Sequence, residues 1–120
     1  MPHLPVGGHH TRDVVFSPDG KTMYVSVGSG SNVGDGMTKM NLADTQKWQA
    51  DHPLGESWGN EEGRADVLTF DPDGNNERIF ATGIRNCVGL AVAASGTVWC
   101  STNERDGLGD NVPTDYIRCV

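Results

Sequence analysis

Two histidines follow two glycines at Gly7-Gly8-His9-His10, and the run continues as Thr11-Arg12-Asp13. An imidazole with its ordinary pKa of about 6.5 can accept a proton at neutral pH, and glycines let backbone approach a ligand closely. His9 and His10 are therefore candidates for general-base chemistry, against the plainer reading of a solvated loop. A second segment, Gly83-Ile84-Arg85-Asn86, sets forked guanidinium donors beside an amide that can both donate and accept. Its plainer reading is a turn whose arginine pairs with a nearby acid. A third, Asn103-Glu104-Arg105-Asp106-Gly107-Leu108-Gly109-Asp110-Asn111, gathers carboxylates, amides and glycines. That is the oxygen-rich chemistry calcium prefers, without the spacing of an EF-hand loop, and backbone carbonyls could ligate as readily as side chains. An acidic surface turn without metal is the plainer reading.

These segments need elements to hold them, and internal similarity indicates which. Phe16-Ser17-Pro18-Asp19-Gly20 recurs as Phe70-Asp71-Pro72-Asp73-Gly74. Val14-Val15-Phe16 leads into the first copy and Met23-Tyr24-Val25-Ser26-Val27 leaves it with the alternation of a half-buried strand. Val67-Leu68-Thr69-Phe70 and Arg78-Ile79-Phe80-Ala81-Thr82 repeat the arrangement. Proline presets φ, aspartate favours the turn and glycine tolerates the left-handed conformation, so two β-hairpins are predicted. A third, without the proline, runs from Gly89-Leu90-Ala91-Val92-Ala93 through Ser95-Gly96 to Thr97-Val98-Trp99-Cys100-Ser101.

Hairpins recurring at a few tens of residues indicate an all-β chain of the β-propeller type rather than a sandwich. From Gly28 to Ala65 the alternation disappears, leaving an inserted loop at about 30–64 with a short helix expected over Leu42 to Gln49. Trp48 and Trp58 favour partial packing of that loop. Three hairpins cannot close a ring, so residues 1–120 are expected to be part of a longer propeller, about two to three blades of it. Tyr116-Ile117-Arg118-Cys119-Val120 looks like a further strand.

Sixteen glycines and six prolines in 120 residues agree with short strands and tight turns. A formal charge of −7 with no local basic cluster makes nucleic acid a poor partner, and an anionic ligand would need individual arginines or a cation. Cys87, Cys100 and Cys119 match neither a zinc nor a haem pattern. Buried thiols are the simple expectation, with one disulfide open to an exported protein, its pair unassigned. No apolar stretch approaches the ~20 residues that span a bilayer, and Met1-Pro2-His3 does not open a signal peptide.

Gly8-His9-His10-Thr11-Arg12-Asp13, Phe16-Ser17-Pro18-Asp19-Gly20-Lys21 and Tyr24-Val25-Ser26-Val27-Gly28-Ser29 resemble the sorbosone dehydrogenase branch of the soluble quinoproteins. Arg64-Ala65-Asp66-Val67, Gly83-Ile84-Arg85-Asn86 and Asn103-Glu104-Arg105-Asp106-Gly107-Leu108-Gly109-Asp110 follow in the family's order. The resemblance implies a six-bladed propeller carrying pyrroloquinoline quinone (PQQ) and calcium at its mouth, oxidising a sugar or a sugar-derived aldehyde. It further implies a periplasmic or secreted location and an electron acceptor such as a cytochrome c. By that likeness His9 would be the base that takes the hydroxyl proton, Arg85 and Asn86 would contact the quinone, and Asp106, Gly107 and Asp110 would serve calcium. Cys87 and Val88 depart from the proline and glutamine that often follow the Arg-Asn pair. The resemblance also implies that the chain alone is inactive, since later blades supply further cofactor contacts. The competing readings are a non-catalytic propeller that only binds, and a calcium-dependent hydrolase of the gluconolactonase type.

Overall fold

Strands of three to six residues dominate the computed structural model, which describes residues 4–10 and 12–120. Among the described residues the chain is all-β apart from one helix and one 3₁₀ turn at Gly59–Glu61. Strands β1 (Val14–Phe16), β2 (Met23–Val27), β3 (Asp66–Phe70) and β4 (Arg78–Ala81) form one antiparallel sheet in that order. Strands β5 (Cys87–Val92), β6 (Val98–Thr102) and β7 (Tyr116–Cys119) form a second. The three predicted hairpins are present, but the first two lie in a single sheet. The long connection between β2 and β3 brings β3 back beside β2, pairing Met23 with Phe70 and Val27 with Asp66.

The three hairpin turns share one hydrogen-bond pattern. In each, the glycine N–H donates back three residues, Gly20 to Ser17, Gly74 to Asp71 and Gly96 to Ala93, at 2.8 Å in every case. Those glycines stand at φ of 70°, 84° and 88°, a conformation that costs a side-chain-bearing residue steric strain. The glycine therefore sets the turn; Pro18 and Pro72 reinforce it, and the third turn forms without a proline.

Alternation along the strands decides the packing. Val15, Tyr24, Val67 and Ala81 point from the first sheet toward the second, where they meet Leu90, Val98 and the Cys87–Cys100 pair. On the opposite face of the first sheet Met23, Val25, Val27, Leu68 and Phe70 form a second cluster, against which Leu4 packs. Aligned by their turns, Met23, Val25 and Val27 of β2 correspond to Val98, Cys100 and Thr102 of β6. The second sheet thus turns toward the first the face equivalent to the one that the first turns away. Its own outer face, with Trp99 43% and Ile117 73% exposed, is apolar. Asp13 ties the two sheets, its Oδ2 accepting from the Leu90 N–H at 2.6 Å.

The β2–β3 connection holds helix α1 (Leu42–Asp51), two residues longer than the expected helix and capped by Asn41, whose side chain accepts from the Asp44 N–H at 2.9 Å. The helix buries no residue. Trp48 and Trp58 instead fold the connection on itself, their indole N–H groups donating to the Glu56 carbonyl at 3.2 Å and the Thr38 carbonyl at 2.7 Å. Both rings are partly buried, as expected from sequence.

Cys87 and Cys100 are joined as a disulfide with Cα atoms 5.6 Å apart, inside the inter-sheet core, while Cys119 is free and exposed. Closing so short a loop, 13 residues in separation, constrains the unfolded chain. Replacing both cysteines by alanine is expected to cost about 3 kcal/mol. Urea denaturation of wild type against the double variant measures it, and an unchanged midpoint would show that the bridge adds nothing.

Candidate functional site

In an antiparallel meander every second connection falls at the same end. The segment before β1, the β2–β3 connection and the chain leaving β4 share one end of the first sheet; the entry to β5 and the β6–β7 loop share one end of the second. The short link 82–86 joins those two ends. His9, Arg85, Asn86 and Asp106 are thereby delivered to one rim, while the three hairpin turns lie at the other.

Ser29, two residues past β2, is the centre of the rim. Its N–H donates to the Arg85 carbonyl at 2.7 Å and its carbonyl accepts from the His9 N–H at 3.0 Å. The His9 ring is half-buried, with Nδ1 2.9 Å from the Ser29 carbonyl and 3.0 Å from its Oγ. The Ser29 hydroxyl proton goes to the Ser31 carbonyl at 2.8 Å. Both Ser29 oxygens facing His9 therefore act as acceptors, and Nδ1 must carry the hydrogen. This assigns the neutral ring its Nδ1–H tautomer and leaves the Nε2 lone pair available. Nε2 has no hydrogen-bond partner among the described residues. His10 is exposed, and Thr11 of the same motif lies outside the described residues, as do Met1–His3.

Arg85 is a clamp. Its side chain is 8% exposed, and the guanidinium donates to the Asn32 carbonyl at 3.2 Å, Asn32 Oδ1 at 2.7 Å and the Asn103 carbonyl at 3.0 Å, with Asp106 Oδ2 at 3.3 Å. Asn32 completes the circuit: its Nδ2 donates to the Asp106 carbonyl at 3.0 Å and its Oδ1 accepts from the Asp106 N–H at 2.9 Å. Asn86 is buried, its Nδ2 donating to Asn103 Oδ1 at 2.8 Å while its own Oδ1 has no partner. Gly28 makes room for this contact; a Cβ there would lie 2.4 Å from Asn86 Oδ1 and 2.6 Å from the His9 Cβ. Glu61, also buried, accepts from the Gly30 N–H and from the Ser31 hydroxyl at 2.6 Å. Arg12 and Arg64 hold the 5–9 segment through its carbonyls, Arg12 to Pro5 at 3.0 Å and to His9, Arg64 to Gly7 at 3.2 Å and to Val6.

A cavity of about 320 Å³ opens in this rim, lined among others by Ser29, Ser31, Asn32, Glu61, Arg85 and Arg105. Its volume falls within the range of small-ligand pockets. Its wall sets hydroxyl, amide and guanidinium groups beside the acids Glu61 and Glu104 and the apolar Val33 and Met37, and most of Arg85's donors are already engaged. His9 does not line the cavity; it bonds Ser29, which does. For calcium the fit is incomplete. Asp106 meets Arg85 through Oδ2 at 3.3 Å and Asn32 through its carbonyl, and its side chain is otherwise exposed. Gly107 and Asp110 are exposed on the same loop, and no group of three or more His, Cys, Asp or Glu able to hold a metal occurs among the described residues.

Ser29, Asn32 and Glu61 were not among the sequence-predicted site residues; Asn103 lay in the third candidate segment without a role of its own. The signal for the first two was the polar run directly after β2, which antiparallel order must carry to the same rim as His9. Glu61 gave no such signal.

No family model and no solved structure matches the chain. A 55-residue stretch is 38% identical to an uncharacterized protein of Borreliella burgdorferi (strain ATCC 35210 / DSM 4680 / CIP 102532 / B31). The match takes in 45% of the chain, which spans about 14% of that relative's length. Among the described residues no helix is long and apolar enough to cross a membrane.

Two substitutions test the rim. Asn32→Ala strands donors of the buried Arg85 and is expected to cost about 1–3 kcal/mol, read as a lower urea midpoint at constant m-value. Gly28→Ala forces Asn86 and His9 apart at a similar cost of about 1–3 kcal/mol. A Gly28→Ala protein with unshifted His9 and Asn86 NMR signals would show that the contact is slack.

Proposed function

We propose that this chain supplies part of a β-propeller whose loop rim binds pyrroloquinoline quinone and oxidises a sugar or sugar-derived aldehyde. The observation that carries the reading is the hydrogen bonding of His9: a half-buried imidazole whose Nδ1 faces the Ser29 carbonyl and hydroxyl, so that Nε2 is the nitrogen left without a partner among the described residues. A general base needs that arrangement, because the nitrogen that accepts the proton must be the one not already hydrogen-bonded.

The chain's own residues would act as follows. His9 Nε2 takes the proton of the substrate hydroxyl, and the Ser29 carbonyl stabilises the imidazolium through Nδ1–H. Arg85 and Asn86 hold the rim in register, and the remaining face of the Arg85 guanidinium attracts an anionic ligand into an otherwise acidic protein. The bound quinone, when present, supplies the hydride acceptor. A calcium ion, expected from the resemblance, would take the Gly107 carbonyl and the Asp110 carboxylate and draw its other ligands from outside the described residues. The Cys87–Cys100 disulfide supports a periplasmic or secreted setting. An electron acceptor of the cytochrome c type belongs to the same proposal.

One observation favours a second reading. Arg85 makes four contacts within the protein, as a purely structural clamp would, and a propeller that only binds at its mouth needs nothing of His9. In a ring completed by further sheets, His9→Ala is expected to lower dye-linked oxidation of aldoses or aldehydes by at least about 100-fold with quinone binding retained. Unchanged turnover would remove His9 from the base role; lactone hydrolysis without dye reduction would support the gluconolactonase-type reading instead. The 120-residue chain alone is expected to show no micromolar quinone binding by calorimetry.

A further inference from the structure

Three acids are buried among the described residues: Glu56, Glu61 and Asp66. Asp66 has no partner at either carboxylate oxygen, and Glu56 has none at Oε2. Glu61, 3% exposed at the end of the 3₁₀ turn, engages both of its oxygens, and each bond leads on to His9.

In the first arm, Glu61 Oε2 accepts from the Gly30 N–H at 2.5 Å. That N–H and the Ser29 carbonyl belong to one peptide group, which is planar, rigid and trans, so its two polar ends point in opposite directions. The far end, the Ser29 oxygen, accepts from the His9 backbone N–H at 3.0 Å and from its ring Nδ1 at 2.9 Å. Rotating this peptide would carry the oxygen away from the ring, and the carboxylate resists that by holding the other end. In the second arm, Glu61 Oε1 accepts from the Ser31 hydroxyl at 2.6 Å, and the Ser31 carbonyl takes the Ser29 hydroxyl proton at 2.8 Å. Ser29 Oγ is thereby left as an acceptor 3.0 Å from His9 Nδ1. Close packing removes the room to tilt: a Cβ on Gly8 would lie 2.6 Å from the Gly30 Cα, and one on Gly30 would lie 3.3 Å from Glu61 Oε1.

We propose that Glu61 is a positioning residue for His9: through the Ser29–Gly30 peptide and the Ser31 hydroxyl, its carboxylate fixes the ring hydrogen on Nδ1 and keeps Nε2 as the proton-accepting nitrogen. A carboxylate suits the task because both of its oxygens only accept, and because negative charge at the N–H end of a peptide strengthens the carbonyl at the other end as an acceptor. The arrangement does at one remove what the acid of a catalytic triad does by direct contact with its histidine. Glutamine has the same shape but must turn its NH2 toward one of the two donors, so one arm fails. Glu61's hold on the ring does not depend on the dehydrogenase reading; its bearing on catalysis rests on the base role proposed for His9.

The test is ring-nitrogen NMR of His9 in the whole chain at about pH 8.5, where an ordinary imidazole is neutral. Wild type is expected to carry the hydrogen on Nδ1. Glu61→Gln is expected to raise the ratio of Nε2–H to Nδ1–H rings by at least about fivefold, the scale of one weakened hydrogen bond. The Leu90 and Asp106 amide signals, held by Asp13 and Asn32, should stay in place. A wild-type ring with its hydrogen on Nε2, or a ratio unmoved by Glu61→Gln, would overturn the proposal. Where Glu61→Gln also shifts those two amides, Ser31→Ala decides, since it keeps the carboxylate and its bond to Gly30: a smaller change of the same sign supports the proposal, and an unmoved ratio overturns it. In a completed ring, a Glu61→Gln protein with a changed tautomer but unchanged turnover would remove His9 from the base role while leaving Glu61 in its place, so the two claims fail separately.

Discussion

Val67, Leu90, Val98 and the Cys87–Cys100 bridge, pressed between two antiparallel sheets, constrain where every loop of this protein can lie. Each buried aliphatic side chain there contributes about 1.5–3 kcal/mol, and the contact is possible only if each strand turns its alternate residues inward. A one-residue slip in any strand would turn that set outward and leave polar side chains in the core. With register fixed, the ends of the strands are fixed too. Because only residues 82–86 join β4 to β5, the rim of one sheet must lie against the rim of the other.

What the core cannot supply, the rim supplies with polar groups. Irregular segments lack ladder partners, and their buried carbonyls need donors. Arginine side chains meet that need here: Arg12 and Arg64 serve the 5–9 segment, and Arg85 serves Asn32 and Asn103. Asn32, Ser29 and Glu61 bring the β2–β3 connection into the same network. An acidic chain thus spends its guanidinium groups on holding loops, and an anionic ligand would meet them only where a face remains open. The preorganisation of His9 through Ser29 is a product of that network rather than of the sheets.

Strands and turns were legible because their signals are local. Alternation over five residues and a glycine that must stand at positive φ are written within one hairpin, and the weakest of the three turns still obeyed the rule at Gly96. That β1 to β4 would share a sheet was not legible, since the pairing of β2 with β3 spans a connection of nearly forty residues with no local code. Likewise His9, Arg85 and Asp106 could be singled out by residue type, but the residue that unites two of them, Asn32, looked like any asparagine in a polar loop. Its role depends on partners 53 and 74 positions away. Asp66 was hidden for a related reason: in sequence it reads as the polar step before an apolar run, and only the fold buries it.

The manner of stacking carries one step further. The face by which the second sheet meets the first corresponds, residue by residue, to the first sheet's opposite face, so the contact is head to tail rather than self-complementary. Contacts of that kind propagate until a rotation closes them or a different surface ends them. The next face in the series carries Trp99 and Ile117, both well exposed, where the equivalent Tyr24 of the first sheet is covered by the second. That face thus carries exposed apolar side chains where the first sheet's equivalent face is covered. In the ring proposed above, repeating this one contact would carry each new rim to the same side.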